Sequence, residues 1–465
     1  MKDFRKFKGD TLYLKLYNCI KKKIESEKIK GKLPPVRKTA ENLNISINTV
    51  IKTYELLEKN SYITAKKGSG FFITYNKNED FYPEDHMKNE DFKYSYFSNQ
   101  CEINFSSASP KTDLFPIEML KSAICDILDR YGEKALLYEN PQGNIEFRNT
   151  IKKEANKFGI KTSIKNIQII SGAQQGINII SKILVQPGDI IVSEEPTYKG
   201  AIQTFKENGG KIKTIPLEND GINIDALEQF LKFNKIRLLY IIPIFQNPTG
   251  ISLSSEKAKK LVTLAEKYDF YVVEDDSSSD LYFDKPVKSI KNYDCYNRVI
   301  YIKSYSKIFM PGFRLGFMIL PTEITEPVIR AKYISDISTS GLNQRIFHHF
   351  MKNKIWGSFT ENLREEFGKK QDYLYEKLKN NKFLSFEKPQ GGLSFWIKLP
   401  DEITGEAVYF KLLKKGVSII PGVVFSSKFV SYIRLSFAQC SYEDIDKGIV
   451  KLEEVLDELV TLNFD

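Results

Sequence analysis

The fold and the chemistry of this chain are most clearly indicated by residues 300–316, which read Ile300-Tyr-Ile-Lys-Ser-Tyr-Ser-Lys307-Ile-Phe-Met-Pro-Gly-Phe-Arg314-Leu-Gly316. A short β-rich run leads into a polar turn that carries Lys307, and a second apolar run follows. The amine of Lys307 could form a Schiff base if its pKa were lowered. The hydroxyls of Ser304 and Ser306 and the Arg314 guanidinium could hold a phosphate dianion. The stretch therefore predicts a site for a phosphorylated aldehyde.

Four more polar clusters follow β-rich runs of the sequence. They occupy residues 171–176, 194–198, 246–250 and 274–276. From about residue 103 onward, short β-rich runs alternate with helical stretches, a pattern typical of a parallel α/β sheet. Functional sites of such sheets lie at the carboxyl ends of the strands, so we expect the clusters to meet around Lys307.

Each cluster offers a group suited to a pyridine-based cofactor. Residues 171–176 could present backbone N–H groups to a phosphate at a helix start, and Tyr198 could stack on a pyridine ring. Asn247 can donate a hydrogen bond to a phenolic oxygen. A carboxylate of Asp275, with Asp276 as the alternative, would keep a pyridine nitrogen protonated, so that the ring accepts electrons. Tandem acids at a strand end are otherwise typical of a solvated edge or a helix cap.

Composition argues against several other classes of protein. The chain has 465 residues, 42% of them hydrophobic, which suggests two or three folding units. No apolar run is long enough to span a bilayer, and no signal peptide is visible after Met1. Five cysteines without a CxxC pair indicate reduced thiols, so we expect a cytoplasmic protein without a membrane partner. The chain has three histidines, too few to favour a histidine-based metal site, and we expect no metal.

The excess positive charge lies entirely in the first sixth of the chain. Residues 1–75 contain 17 lysines and arginines and 7 acidic residues, a net charge of +10. The remainder has 69 − 17 = 52 basic and 59 − 7 = 52 acidic residues, so its net charge is zero. This division indicates a nucleic-acid-binding module attached to a neutral domain. The alternative is a solvated charge run, but the segment is also well patterned.

The pattern of the basic segment predicts three helices and a hairpin. Apolar residues at helical spacing indicate helices over residues 12–24 and 36–43. Ser46 is a good N-cap for a third helix from residue 47 to about residue 59. Residues 62–73 read as a β-hairpin with a basic, glycine-rich tip.

The third helix has two distinct faces. Val50, Tyr54 and Leu57 recur at helical spacing and should pack inward. The polar residues left pointing outward are Asn48, Thr49 and Lys52. This arrangement predicts a winged helix-turn-helix, in which the third helix enters the major groove of DNA. The alternative is a three-helix module that docks another protein.

Two parts of the chain resemble one known family. Residues 300–316 resemble the Ser-x-Ser-Lys motif of fold-type I aminotransferases, which use pyridoxal 5'-phosphate (PLP). Residues 33–37 and 46–50 resemble the Leu-Pro-x-x-Arg and Ser-x-x-Thr-Val motifs of GntR-family readers. From about Leu12 to the C-terminus, the chain is similar to MocR-type regulators of the GntR family. In these proteins a winged helix-turn-helix is fused to an aminotransferase-like domain.

The resemblance implies a role for each candidate residue of the larger domain. Lys307 would form the Schiff base with PLP, Asp275 would pair with the pyridine nitrogen, and Asn247 would bind the O3′ oxygen. Arg434 would bind the carboxylate of a substrate or effector. The other implied cofactor contacts are stacking by Tyr198, Tyr138 from a partner subunit, and a phosphate grip by Ala173, Gln174, Ser304, Ser306 and Arg314.

The resemblance also implies that the basic segment binds double-stranded DNA. The implied contacts are Arg37, Lys38, Ser46, Asn48, Thr49, Lys52, Lys66, Lys67 and Gly68. Two positions depart from the family pattern. Ile47 stands where many members have arginine, which is expected to cost one phosphate contact. Ser277 stands where a tyrosine usually touches O3′, so we expect weaker transaminase chemistry.

The sequence thus predicts a multidomain chain. A winged helix-turn-helix would occupy residues 1–75, a linker residues 76–100, and the aminotransferase-like domain residues 101–465. That domain would have a large parallel-type sheet and a smaller α+β subdomain from about residue 330. Two functions follow from the resemblance. The first is a homodimeric transcription regulator that binds paired DNA half-sites and senses PLP or an amino compound, and the second is an active aminotransferase of an amino acid.

Overall fold

The chain divides into two compact units, residues 1–98 and residues 99–465. The computed structural model describes residues 11–25, 31–59, 62–66, 70–73, 101–353 and 355–464. The predicted linker, residues 76–100, lies outside these described residues.

The described part of the N-terminal unit consists of three helices and an antiparallel strand pair. The elements are α1 Leu12–Glu25, α2 Val36–Leu43, α3 Ile47–Lys59, β1 Ile63–Lys66 and β2 Gly70–Ile73. They lie where the sequence predicts them. The segment before α2 also joins the strand pair, because the Leu33 N–H donates to the Phe71 carbonyl at 2.8 Å and the Ile73 N–H to the Gly31 carbonyl at 2.6 Å.

The inward face of α3 is the one that the helical spacing predicts. Val50, Tyr54 and Leu57 are all fully buried in the core of the unit. The Tyr54 hydroxyl donates to the Pro34 carbonyl at 2.9 Å, which ties the start of α2 to the middle of α3. Ser46 caps α3, since its hydroxyl accepts the Thr49 N–H at 3.1 Å.

The C-terminal unit alternates strands and helices. Its strands are β3 Ile103–Asn104, β4 Ile167–Ile170, β5 Ile190–Glu195, β6 Lys211–Glu218, β7 Gly221–Ile222, β8 Leu238–Ile241, β9 Tyr271–Asp276, β10 Val299–Ser304, β11 Gly316–Ile319, β12 Ser394–Lys398, β13 Val417–Ser418, β14 Ile420–Pro421 and β15 Tyr432–Ser436. Its α-helices are α4 Ile117–Tyr131, α5 Ile145–Lys157, α6 Ala173–Leu184, α7 Lys199–Glu207, α8 Ile224–Leu231, α9 Ser255–Lys267, α10 Thr322–Asp336, α11 Gly341–Lys352, α12 Ile355–Leu378, α13 Gly405–Lys414 and α14 Tyr442–Phe464.

The main sheet has eight strands and is mixed rather than parallel. Its order is β4-β11-β10-β9-β8-β5-β6-β7. The neighbours β10, β9, β8, β5 and β6 pair in parallel, but β11 is antiparallel to both β10 and β4. The prediction of a parallel-type sheet was therefore wrong for β11, and also for β7, which pairs with β6 in the antiparallel direction. The loop that carries Lys307 between β10 and β11 is too short for the crossover that a parallel pair requires.

Helices cover both faces of this sheet. One apolar core contains Ile177 and Ile180 of α6 and Val328 of α10. The other contains Leu227 of α8 and Leu261 of α9. The central strands are consequently buried on both sides and read as continuous apolar runs, such as residues 238–241. Their carboxyl ends are left for the polar loops.

A smaller antiparallel sheet forms in the C-terminal part of the unit. Its order is β12-β15-β14, and Arg434 lies on its central strand β15. A separate parallel pair joins β13 to β3. Strand β3, from the start of the aminotransferase-like unit, therefore pairs with a strand of the C-terminal part. The predicted subdomain boundary at about residue 330 does not account for this pairing.

Candidate functional site

Polar loops at the carboxyl ends of the central strands surround one cavity. The loop after β10 places Lys307 in its wall, and the loops after β8 and β9 add Asn247, Ser277 and Ser278. Gly391 and Gly392 close the side next to β12. Asn247 and Lys307, which the sequence analysis assigned to separate strand ends, thus line the same cavity.

Lys307 lies in an environment that disfavours its charged form. Burial lowers the pKa of its amine to about 8, and the positive charges of Arg434 and Arg314 act in the same direction. Within the described part of the chain, no residue forms a hydrogen bond or ion pair with this amine. An amine with a lowered pKa is more often neutral at physiological pH and is then a competent nucleophile.

Asp275 presents one carboxylate oxygen without a partner. The Tyr240 hydroxyl donates to its Oδ2 atom at 2.7 Å. Its Oδ1 atom is buried and finds no hydrogen bond among the described residues. Burial raises the pKa of Asp275 to about 6, and the Asp276 charge adds to this, whereas the Tyr240 hydrogen bond opposes it. A buried, unpaired acceptor of this kind fits a positively charged N–H donor.

Asp276 points to the other side of the strand and is fully engaged there. Its carboxylate accepts hydrogen bonds from the Tyr301 hydroxyl at 2.6 Å and from the Ser279 hydroxyl at 2.6 Å. Lys303 lies 3.1 Å from the same oxygen and 2.6 Å from Asp280. Burial alone would raise the pKa of Asp276, but Lys303 and these hydrogen bonds lower it. Of the two tandem acids, Asp275 is therefore the one with a free oxygen.

Arg314 joins two of the predicted phosphate-binding segments. Its guanidinium donates to the Ser171 carbonyl at 3.0 Å and to the Ser306 hydroxyl at 3.1 Å. Gly172, with φ of +97°, passes so close that a Cβ atom there would lie 2.6 Å from the guanidinium. Helix α6 begins directly after this glycine at Ala173, so its N-terminal N–H groups lie beside a cation and a hydroxyl.

Three other predicted contacts support the walls of this site. The Ser304 hydroxyl is buried and accepts the Ser306 N–H at 3.3 Å. Tyr198 is half-buried, and its hydroxyl donates to Gln174 Oε1 at 3.1 Å. The Gln174 amide donates in turn to the Thr204 hydroxyl at 2.7 Å. The side chain of Gln174 is thus held on both of its polar atoms.

Arg434 is buried and contacts the residue predicted to bind O3′. It donates to Asn247 Oδ1 at 2.7 Å and to the Ser106 carbonyl at 2.6 Å. Its Nε atom is buried without a hydrogen bond among the described residues. Burial lowers the pKa of Arg434 to about 10. A buried guanidinium with no carboxylate partner in the described chain suits an anionic ligand.

The remaining predicted residues lie on surfaces. Tyr138 is 82% exposed in the single chain. In the N-terminal unit, Arg37, Lys38, Ser46, Asn48 and Lys52 are exposed and Thr49 is half-buried. Lys66 belongs to β1, but its side chain lies outside the described part, as do Lys67 and Gly68.

Sequence reasoning missed the groups that hold the candidate residues in place. Tyr240, Ser106 and Lys303 contact Asp275, Arg434 and Asp276 respectively. Tyr240 gave the clearest signal, because a tyrosine inside a buried strand needs a partner for its hydroxyl.

A scan against protein families matches residues 102–452 to the model described as aminotransferase class I and II. The chain belongs to this family. Among curated relatives, aromatic-amino-acid aminotransferase 1 of Thermococcus litoralis is 31% identical over 367 residues, which is 77% of this chain and 88% of the relative. The HTH-type transcriptional regulator NorG of Staphylococcus aureus is 30% identical over 441 residues, 90% of this chain and 98% of the relative.

A solved aminotransferase also has the same fold. Kynurenine aminotransferase of Pyrococcus horikoshii, in complex with PMP (pyridoxamine phosphate), superimposes with a TM-score of 0.75 at 30% identity. The match covers 82% of this chain and 98% of that structure. The cofactor of this aminotransferase unit is pyridoxal 5'-phosphate, as predicted. When bound, it supplies an amine-reactive aldehyde on an electron-accepting ring.

The site of the aminotransferase unit fits this cofactor in three respects. Lys307 offers an amine of lowered pKa, Asp275 has an unpaired oxygen, and Arg314 lies at the start of α6 beside Ser306. None of the described helices is long and apolar enough to cross a membrane.

Proposed function

We propose that this chain is a DNA-binding transcription regulator whose aminotransferase unit binds PLP and senses either PLP or an amino compound. The observation that carries the proposal is that the match to a protein named as an HTH-type transcriptional regulator spans 90% of the chain. The net charge of +10 in residues 1–75 supports it, because that charge has no role in aminotransferase chemistry.

In this proposal the N-terminal unit is a winged helix-turn-helix of the GntR type. Helix α3 enters the major groove with its exposed face, and Arg37 and Lys38 at the start of α2 contact phosphates. The tip between β1 and β2 is the wing. The remaining proposed DNA contacts are Ser46, Asn48, Thr49, Lys52, Lys66, Lys67 and Gly68.

The proposed cofactor contacts follow from the donors and acceptors of the cavity. Lys307 holds the cofactor as a Schiff base, and the unpaired Asp275 oxygen accepts from the pyridine N–H. Asn247 donates a hydrogen bond to the O3′ oxygen of the cofactor, and Arg434 binds the carboxylate of an amino acid. The further contacts are Tyr198 at the ring and Ala173, Gln174, Ser304, Ser306 and Arg314 at the phosphate.

We further propose that the protein acts as a homodimer that binds paired half-sites. Three consecutive residues of the aminotransferase unit are prominently exposed in the single chain, at 68%, 66% and 82% for Leu136, Leu137 and Tyr138. An apolar run of this kind is typical of a surface that another subunit covers. Tyr138 would then reach the phosphate of the partner's cofactor.

For a ligand to regulate transcription, it must bind the DNA-bound and free states with different affinity. Occupation of the cavity beside Lys307 would shift that balance.

The second candidate is an active aminotransferase with a DNA-binding or docking module. One observation favours it, which is that Lys307, Asp275 and Arg434 are all present with the geometry described above. The departure at Ser277 weighs against efficient turnover.

One experiment separates the two candidates. The PLP-loaded protein is mixed with a panel of amino acids and related amines, with an excess of a 2-oxo acid present to accept the amino group, while its absorbance, new keto product and binding to labelled DNA are followed. A sensor changes its spectrum once and alters DNA binding without releasing product. Continuous keto product with unchanged DNA binding would instead establish the aminotransferase. A protein that retains no PLP would contradict both.

A further inference from the structure

The exposed face of α3 carries two large apolar side chains beside an amide and an amine. Ile47 is 48% exposed and Ile51 is 37% exposed. Asn48 and Lys52, the residues that follow each of them, are exposed as well. Residues four apart lie on the same side of a helix. Ile47 and Ile51 therefore form one apolar strip, which adjoins a polar strip of Asn48 and Lys52.

The other side chains at the start of α3 already have structural roles. Val50 and Tyr54 fill the core of the unit. The Ser46 and Thr49 hydroxyls lie 2.8 Å apart and bond to each other, and the Thr49 N–H donates to Ser46. In its first two turns, α3 therefore presents the apolar strip and the polar strip to a partner.

The charge of the unit identifies the class of partner. Residues 1–75 carry a net charge of +10, so the surface attracts a polyanion. Two isoleucines would contribute nothing to contacts with phosphates alone. Duplex DNA is a polyanion that also exposes apolar groups, because each thymine presents a C5-methyl group in the major groove.

We propose that Ile47 and Ile51 contact thymine methyl groups, so that the preferred DNA site has A·T pairs opposite the first two turns of α3. This inference rests on the proposed DNA-binding function and adds the type of base pair that α3 recognises. Asn48 fits the same base pair, since an asparagine amide can bond to both N6 and N7 of adenine. An A·T pair thus matches the apolar strip and Asn48, whereas a G·C pair lacks the methyl group.

The test removes single methyl groups from DNA. The full-length, PLP-loaded protein first selects its preferred duplexes from a random pool. Each thymine of the selected site is then replaced by deoxyuridine, which lacks only the C5-methyl group. Binding of each duplex is measured for the wild-type protein and for Ile47→Ala and Ile51→Ala. Val450→Ala, which truncates a 55% exposed residue of the aminotransferase unit, is the matched control.

We expect deoxyuridine at one or two positions to weaken wild-type binding by about 3-fold to 10-fold, the effect of losing one well-buried methyl contact. The penalty at one position should disappear in Ile47→Ala, and the penalty at another in Ile51→Ala. Such coupling between a side chain and a methyl group identifies a direct contact. The Val450→Ala protein should keep both penalties.

Three other outcomes overturn the inference, and they separate failed methyl recognition from failed DNA binding. If the protein binds selected duplexes but deoxyuridine changes affinity less than 2-fold at every thymine, DNA binding stands and methyl recognition fails. The same holds if the isoleucine variants weaken all duplexes equally, because the strip then contacts something other than thymine. If no duplex binds even at low salt, the proposed DNA-binding function itself fails.

Discussion

Asp275 and Arg434 of the aminotransferase unit are buried and held by neighbours, whereas most of the candidate DNA contacts of the N-terminal unit are exposed. Asp275 is 5% exposed and is fixed by Tyr240 at 2.7 Å. Arg37, Lys38 and Asn48 point into solvent instead. The buried groups are preorganised for a small cofactor. The exposed groups would become ordered only against the proposed DNA partner. Substitutions should therefore have large, local effects in one unit and small, additive effects in the other.

The largest expected effect is at Lys307. In Lys307→Ala we expect complete loss of covalent PLP attachment, because among the described residues no other lysine lines this cavity and the pKa of Lys307 is lowered to about 8. The measurement is borohydride reduction of the loaded protein, followed by mass analysis of its peptides. Lys285→Ala changes an exposed lysine of the same unit, and its peptide containing Lys307 should carry the reduced cofactor as in the wild type. Labelling of Lys307→Ala at another lysine would contradict the assignment.

The next effect concerns Asp275 and depends on pH. Because burial raises its pKa to about 6, the folded protein binds this proton more tightly than the unfolded chain, whose carboxyl titrates near 3.9. The resulting stabilisation is complete below about pH 4 and is lost as the pH rises through about 6. Above that pH the cofactor-free protein carries a buried, partly unpaired charge.

We therefore predict opposite effects of Asp275→Asn on stability and on cofactor binding. At pH 8 the cofactor-free variant should unfold with a free energy higher than wild type by on the order of 1–2 kcal/mol, and its PLP affinity should fall about 10-fold to 100-fold. Urea unfolding at pH 5 and pH 8 and equilibrium dialysis measure the two quantities.

Asp284→Asn, at an exposed aspartate, is the control for this prediction. The free energy of unfolding should still depend on pH in both Asp275→Asn and Asp284→Asn, since burial also raises the pKa of Glu194 to about 8 and that of Glu274 to about 7. A variant that loses stability at pH 8 and keeps its PLP affinity would show that Asp275 is a structural residue.

The N-terminal unit should respond more weakly to any single change. In Arg37→Ala or Lys38→Ala we expect DNA affinity to fall about 3-fold to 10-fold for all duplexes, because each residue is proposed to neutralise one phosphate. The slope of log affinity against log salt should decrease in magnitude by about 1. Binding assays over a salt series measure both. A loss confined to one sequence would indicate a base contact instead, and Lys285→Ala should change neither quantity.

The same contrast explains which features the sequence could predict. The buried face of α3 followed from helical spacing, because Val50, Tyr54 and Leu57 are neighbours on one helix. The presence of Asn247 and Lys307 in the wall of one cavity followed from the rule that functional loops lie at the carboxyl ends of strands. These inferences need only local periodicity and the order of elements.

Features that depend on strand register could not be predicted. Tyr240 is 35 residues from Asp275 and meets it only because β8 pairs with β9. Lys303 lies directly opposite Asp276 in the pairing of β10 with β9. The choice of Asp275 over Asp276 as the residue with a free oxygen therefore required the sheet, since the sequence places both acids at the same strand end.

The smallest effect should come from Ser277, which lines the cavity with Lys307 and Asn247. A tyrosine here would add an O–H donor near Asn247, the proposed partner of the phenolic oxygen of PLP. A donor stabilises the anionic form of that oxygen, so the pH midpoint of the absorbance of the loaded protein should fall by about one unit. Ser277→Phe is the matched control, because it adds the ring without the hydroxyl. Equal midpoints in Ser277→Tyr and Ser277→Phe would mean that the hydroxyl does not reach the cofactor, and that the weaker chemistry expected of Ser277 has another origin.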